Sequence, residues 1–136
     1  MSFESAEDLA NKKKAARIFT NMFGGSFSAL SVLDTDFKIL DKERNLISYA
    51  EVVVMKGNYS QSMSLHISVS RLSKLCNKRL NPVIIWSFDD GIVYTKVVNI
   101  SGKISWGSLP WKASNPSTNE LIAEFKQDKN FRYERG

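Results

Sequence analysis

At 136 residues, with 43% hydrophobic and 24% charged side chains, the chain has the balance of one folded domain able to bury a real core, so disorder is excluded as its default state. No apolar run approaches the roughly 18 residues that a membrane span needs, and the N-terminus is charged and amphipathic, unlike a secretory signal; the sequence therefore reads as soluble and cytoplasmic, with no membrane partner. A net charge of +5 favours polyanions without naming one, while Cys76 and His66, each the single residue of its kind, rule out an intramolecular disulfide and a cysteine zinc site and lack the partners that nucleophilic catalysis requires.

The first stretch, SAEDLANKKKAARIFTNMFGG, predicts a helix. Ser5 can cap it, Glu7 and Asp8 suit its positive N-terminal end, and Gly24-Gly25 supply a stop. Leu9, Ala15, Ala16, Ile18, Phe19, Met22 and Phe23 form its apolar face. FSALSVLDTDF begins extended structure, and DFKILDKERNLISYAEVVVMK has the form of a hairpin with Asp41 to Asn45 around the turn. In MSLHISVSRLSKLCNKRL, Met63, Leu65, Ile67 and Val69 alternate with polar residues, while Val69, Leu72, Leu75, Cys76 and Leu80 follow helical spacing. The reading is a short extended lead-in, then a helix capped by Ser68, on which Arg71, Lys74 and Lys78 fall near one face. NPVIIWSF is a continuous apolar run suited to a central strand covered on both sides, with Ile84 and Ile85 buried, and DDG turns it into the partner strand IVYTKVV. A strand or loop carrying Trp106 and Trp111 follows, then a terminal helix from near Pro116 and a frayed tail, DKNFRYERG. One domain results, with a core over residues 4–97 and a C-terminal appendage over 98–136.

Two basic clusters stand out: Lys12, Lys13, Lys14 and Arg17, and Arg71, Lys74, Lys78 and Arg79. Each is either a set of phosphate contacts, with DNA as the partner, or a solvated face. The hairpin carries a second feature. Centred between Glu43 and Arg44, it places Asp36 directly across from Glu51 on one face of the sheet. Opposed like charges repel unless a cation or a basic side chain lies between them. A divalent ion is one answer; a shifted register, or an edge hairpin with both carboxylates in water, is the other.

At this point the chain resembles the PD-(D/E)XK nuclease-like superfamily, in particular its small phage-encoded members. The resemblance covers roughly residues 4–97. In that family an acidic residue opens the second strand and an E-x-K motif lies on the third, within an α-β-β-β-α-β core. Asp36 matches the first position and EVV, Glu51 to Val53, the second; SVSRLSKL and PVIIWSFDDGIVY resemble the following helix and hairpin. The family's N-terminal helical glutamate is matched by Glu7 or Glu4. The resemblance implies an α/β fold of three layers, a mixed central sheet flanked by helices, and hydrolysis of DNA phosphodiester bonds. It also implies Mg²⁺ or Mn²⁺ held by Asp36, Glu51 and Glu7, with a lysine stabilising the charge that develops. Here the motif lysine is replaced by Val53. Lys56 falls on the opposite face unless a bulge intervenes, whereas Arg71 and Lys74, on the helix that follows, can bring a basic group to the same place.

Three functions stay open on the sequence. The first is a DNA nuclease, phage-encoded and working in the host cytoplasm if the resemblance extends to origin. The second is a catalytically silent nuclease fold that binds nucleic acid or a host protein. The third is a structural or assembly subunit, with Trp106 and Trp111 at an interface to a second copy or a protein partner, or else buried in the core.

Overall fold

Helix α1 (Ala6–Asn21) opens as the sequence predicts: the Ser5 hydroxyl accepts the Asp8 N–H at 3.0 Å, and Glu7 and Asp8 lie in the first turn. The structure is a computed structural model that describes residues 5–31, 34–100, 102–107 and 120–136, with 103–107 described by their backbone. Beyond α1, Gly24 takes a positive φ of 71°, a conformation that costs glycine little, and turns the chain into strand β1 (Ser26–Ala29).

Strands β2 (Phe37–Leu40) and β3 (Leu46–Val54) form the expected hairpin. Phe37 pairs with Ala50, Lys38 with Tyr49 and Ile39 with Ser48, the register anticipated for the body of the hairpin. Its turn differs by one residue. Leu40 pairs with Leu46, and a bulge between Ile39 and Leu40 absorbs the shift. The Asp41 carboxylate accepts from the N–H groups of Glu43 and Asn45 at 2.9 and 2.8 Å, while Arg44 takes a φ of 68°. This is a three-residue turn closed by a left-handed residue.

The chain continues through β4 (Ser64–Ser68), α2 (Val69–Cys76), β5 (Val83–Phe88) and β6 (Gly91–Lys96), then a 3₁₀ turn at Val97–Asn99. It ends with β7 (Lys103–Gly107), β8 (Glu120–Lys126) and β9 (Arg132–Arg135). Six strands form a mixed sheet in the order β1-β2-β3-β5-β6-β9, in which only the β3–β5 pair is parallel; β4, β8 and β7 form a second, antiparallel sheet. A parallel neighbour needs a crossover, and the segment carrying β4 and α2 supplies it.

All six residues of β5 are buried, as its unbroken apolar run requires. Its alternating side chains serve two cores. Val83 and Ile85 join Ala50, Val52 and Ile92 under Ala15 and Ala16 of α1. Ile84, Trp86 and Phe88 join Val53 and Val93 against Leu65 and Ile67 of β4, Leu75 of α2, and Ala123 and Phe125 of β8. The molecule is thus a mixed α/β protein of three layers. Helices flank the sheet on both sides, but α2 shares its side with the three-stranded sheet, which the sequence reading does not contain.

Two expectations are corrected at the C-terminal end. Residues 120–126 are a strand, not part of a terminal helix; the proposed helix start near Pro116 lies outside the described residues. ELIAEFK consists largely of helix formers, but β8 is hydrogen-bonded to β4 on one side and β7 on the other, and pairing on both edges overrides local propensity. The tail is not frayed: β9 pairs with β6. Close approach explains it, since a Cβ at Gly91 would run into the Glu134 carbonyl oxygen. Among the described residues, no helix is long and apolar enough to cross a membrane.

Because Ile84 and Ile85 face opposite cores, Ile84→Ala and Ile85→Ala should each destabilise the protein, by about 2–5 kcal/mol. Urea unfolding monitored by tryptophan fluorescence measures both. A cost at one position alone would mean that only one face of the sheet is covered.

Candidate active site

The register of the hairpin brings Asp36 and Glu51 together. Asp36, immediately before β2, donates its backbone N–H to Glu51 Oε1 at 2.9 Å, and its own Oδ2 accepts the Val52 N–H at 2.8 Å. Glu51 is only 4% exposed, on the face of β3 that carries Val53 and beside β5, where it pairs with Ile84. A carboxylate in that setting needs a cation.

Arg71 supplies it. Its Nε donates to Glu51 Oε2 at 2.7 Å, Nη2 donates to the Val52 carbonyl at 2.6 Å, and Nη2 lies 3.5 Å from Asp36 Oδ2. Local structure explains how it gets there. Ser68 caps α2 by accepting the Arg71 N–H at 3.4 Å, which places Arg71 in the first turn, pointing back over β3. A cation at a helix N-terminus is unfavourable by itself, so the acid pair offsets the position. From the other layer, Lys12 Nζ reaches Asp36 Oδ1 at 3.1 Å. Two carboxylates and two cations make the cluster neutral. All four carboxylate oxygens accept at least one N–H donor.

Burial, the largest influence, pushes the Glu51 carboxyl up from an ordinary 4.5 to about 6; Arg71 opposes the shift and the Asp36 charge adds to it. A second ion pair lies alongside. Lys78 Nζ meets Asp34 Oδ1 at 2.6 Å and holds the Asp34 carboxyl below the usual range, while the same ammonium stands 4.8 Å from the centre of the Tyr49 ring.

The other sequence candidates scatter. Glu7 is exposed in the first turn of α1, and Glu4 lies outside the described residues. Lys74 is exposed on α2, away from the inward side on which Leu75 is buried, and Lys56 is exposed beyond the end of β3. Lys13 and Lys14 are exposed; Arg17, also exposed, lies 5.9 Å from the Phe27 ring centre. Trp111 is outside the described residues, and Trp106 is placed only as backbone in β7. The acid pair also lies apart from the open groove of about 460 Å³ lined by Gly24, Phe27, Asp41, Lys42 and Arg44.

Sequence reasoning placed Lys12 among surface cations and missed its contact with Asp36. The signal was present: Lys12 falls on the same helical face as Ala15, Ala16 and Phe19, the face that meets the sheet. Asp34 and Tyr49 were also missed, because nothing local ties them to Lys78.

Two carboxylates side by side are a hard-oxygen donor set of the kind Mg²⁺ and Mn²⁺ accept, with water and phosphate completing the coordination. Arg71 and Lys12 already meet three of the four oxygens, so the residues fit such an ion provided these two cations yield room. Among the described residues no group of three or more His, Cys, Asp or Glu side chains could hold a metal. Compared with known proteins, the chain matches no family model, no curated protein and no solved structure.

The raised Glu51 value has a sign that can be tested. The folded protein holds this proton more tightly than the unfolded chain, so the stability it contributes is fully present below about pH 4.5 and is lost as pH rises through about 6. The loss should be about 2 kcal/mol. Urea midpoints between pH 4 and pH 8 should show it in the wild type and not in Glu51→Gln; parallel profiles for the two proteins would mean that Glu51 titrates as a solvated carboxylate.

Proposed function

We propose that this protein is a nuclease-like phosphodiesterase acting on DNA, in which Asp36 and Glu51 hold Mg²⁺ or Mn²⁺ and Arg71 takes the part of the lysine absent at Val53. One observation carries the reading: a guanidinium from α2 meets both carboxylates of a cross-strand pair. The order α1, β1, β2, β3, then α2 and a strand β5 parallel to β3 supports it, since those are the elements of the core the resemblance implies, with β4 inserted before α2 and paired in the second sheet.

The ion, when bound, would supply Lewis-acid polarisation of the phosphate and a more acidic water. The chain's own groups do the rest. Asp36 and Glu51 would orient that centre, and the backbone bonds from Val52 and Asp36 hold the two carboxylates in register. The role of Arg71 is charge: its guanidinium would face the phosphoryl oxygens as negative charge builds on them. Lys74, Lys13, Lys14 and Arg17 remain exposed and add a field that attracts the polyanion.

A second reading is favoured by Val53. It is 1% exposed within the core shared with Trp86 and Phe88, and Arg71 already neutralises the acid pair. On that reading the cluster is structural and the fold binds nucleic acid without cutting it.

Cleavage of linear, circular, single-stranded and branched DNA in Mg²⁺, Mn²⁺ or EDTA, together with calorimetric titration of Mn²⁺, separates the two. Metal-dependent cleavage and measurable heats are expected for the wild type, with both lost in Asp36→Asn and in Glu51→Gln. Arg71→Ala should lower kcat by about 10² or more while Arg71→Lys recovers part of it. Equal, negligible heats in the wild type, Asp36→Asn and Glu51→Gln, with DNA affinity that still falls steeply with salt, would establish the silent fold instead.

A further inference from the structure

The face of the hairpin that carries the acid pair continues for one more repeat. Lys38 pairs directly with Tyr49, two residues along each strand from Asp36 and Glu51. Side chains two apart on a strand share a face and stand ~6.8 Å apart, a span comparable with one nucleotide of an extended strand. Lys78, just past the end of α2, places its ammonium 4.8 Å from the centre of the same Tyr49 ring. One half-buried aromatic ring is therefore attended by two lysines, one across the strand pair and one from the segment just past α2.

Their charges do not cancel. Asp34 pairs with Lys78 at 2.6 Å, whereas Lys38 is exposed and has no ion-pair partner among the described residues. Asp34, Lys78 and Lys38 thus sum to one positive charge, next to a cluster of Asp36, Glu51, Arg71 and Lys12 that sums to none. Tyr49 fixes the spacing. Its ring packs against the core beneath and holds the Lys78 ammonium at the surface.

We propose that Lys38 and Lys78, set by Tyr49, form a subsite for the phosphodiester adjacent to the one at Asp36 and Glu51, so that the protein engages a polynucleotide strand by at least two consecutive phosphates. Calling the first of these scissile rests on the nuclease reading; the binding of the second does not. Lys78 exchanges its bond to Asp34 for a phosphate oxygen, and Lys38 approaches the same group from the facing strand. Both contacts are to backbone, so they position the strand without reading its sequence.

Equilibrium binding of fluorescent DNA oligonucleotides in EDTA, across a salt series, tests this for the wild type, Lys38→Ala, Lys78→Ala and Lys78→Arg. Lys129→Ala, in the turn between β8 and β9, controls for loss of charge elsewhere. Lys38→Ala and Lys78→Ala should each weaken binding and reduce the log–log salt slope by about one, with Lys78→Arg close to wild type and Lys129→Ala unchanged. In a cleavage assay the same two variants should raise KM with kcat retained, the signature of uniform binding. Slopes for Lys38→Ala and Lys78→Ala equal to that of Lys129→Ala would overturn the subsite, whether or not DNA is cut. Reduced slopes without cleavage in any metal would keep the subsite and remove the nuclease reading alone.

Discussion

A guanidinium held between two carboxylates is the interaction on which the arrangement of layers turns. Arg71 belongs to the helix on one side of the main sheet, Glu51 and Asp36 to the sheet, and Lys12 to the helix on the other side. The cluster therefore pins all three layers at one point, near the start of β2 and the middle of β3. Breaking a buried pair by removing one partner is costly because the other charge stays desolvated. Glu51 is the member that feels this most, being nearly inaccessible to water.

Apolar packing makes the cluster possible without specifying it. β5 is buried on both faces and lies parallel to β3, so both strands are interior and each sends alternate side chains into different cores. A residue at position 51 must then point toward α2 and the second sheet. An aliphatic side chain there would simply enlarge that core. The carboxylate instead demands a partner, and the crossover segment between β3 and β5 delivers one in the first turn of α2.

Local rules are broken where that happens. A carboxylate sits in the middle of an otherwise apolar, buried stretch of strand, a cation sits at the positive end of a helix, and two like charges share a cross-strand position. Each is unfavourable alone, and together they are mutually compensating. Consistency across levels is the norm in folded sequences, and its local failure is a mark of function or of stored strain. The neighbouring Lys38 and Tyr49 break no such rule, which is why they draw no notice in the sequence; Lys78 stands out there only as one of a basic cluster, and its place beside Tyr49 becomes visible only in the fold.

Much of this was legible in the chain by itself. Ser5 and Ser68 announce the two helices because a cap is a local event, settled within three residues. The burial of Ile84 and Ile85 follows from an apolar run too short for anything but an interior strand, and the hairpin register follows from alternation and a turn rich in polar residues. Asp36 opposite Glu51 is a consequence of that register, and helical spacing put Arg71 and Lys74 forward together as cations able to reach the pair, of which Arg71 meets it. The rest was decided by contacts between distant segments. ELIAEFK is a strand because β4 and β7 offer hydrogen bonds on both its edges, and the last residues are ordered because Gly91 leaves room for them. Lys12 reaches Asp36 across 24 residues and Lys78 reaches Asp34 across the hairpin and the crossover. Sequence periodicity reports which face a side chain occupies; only the packing of one element against another determines what that face meets.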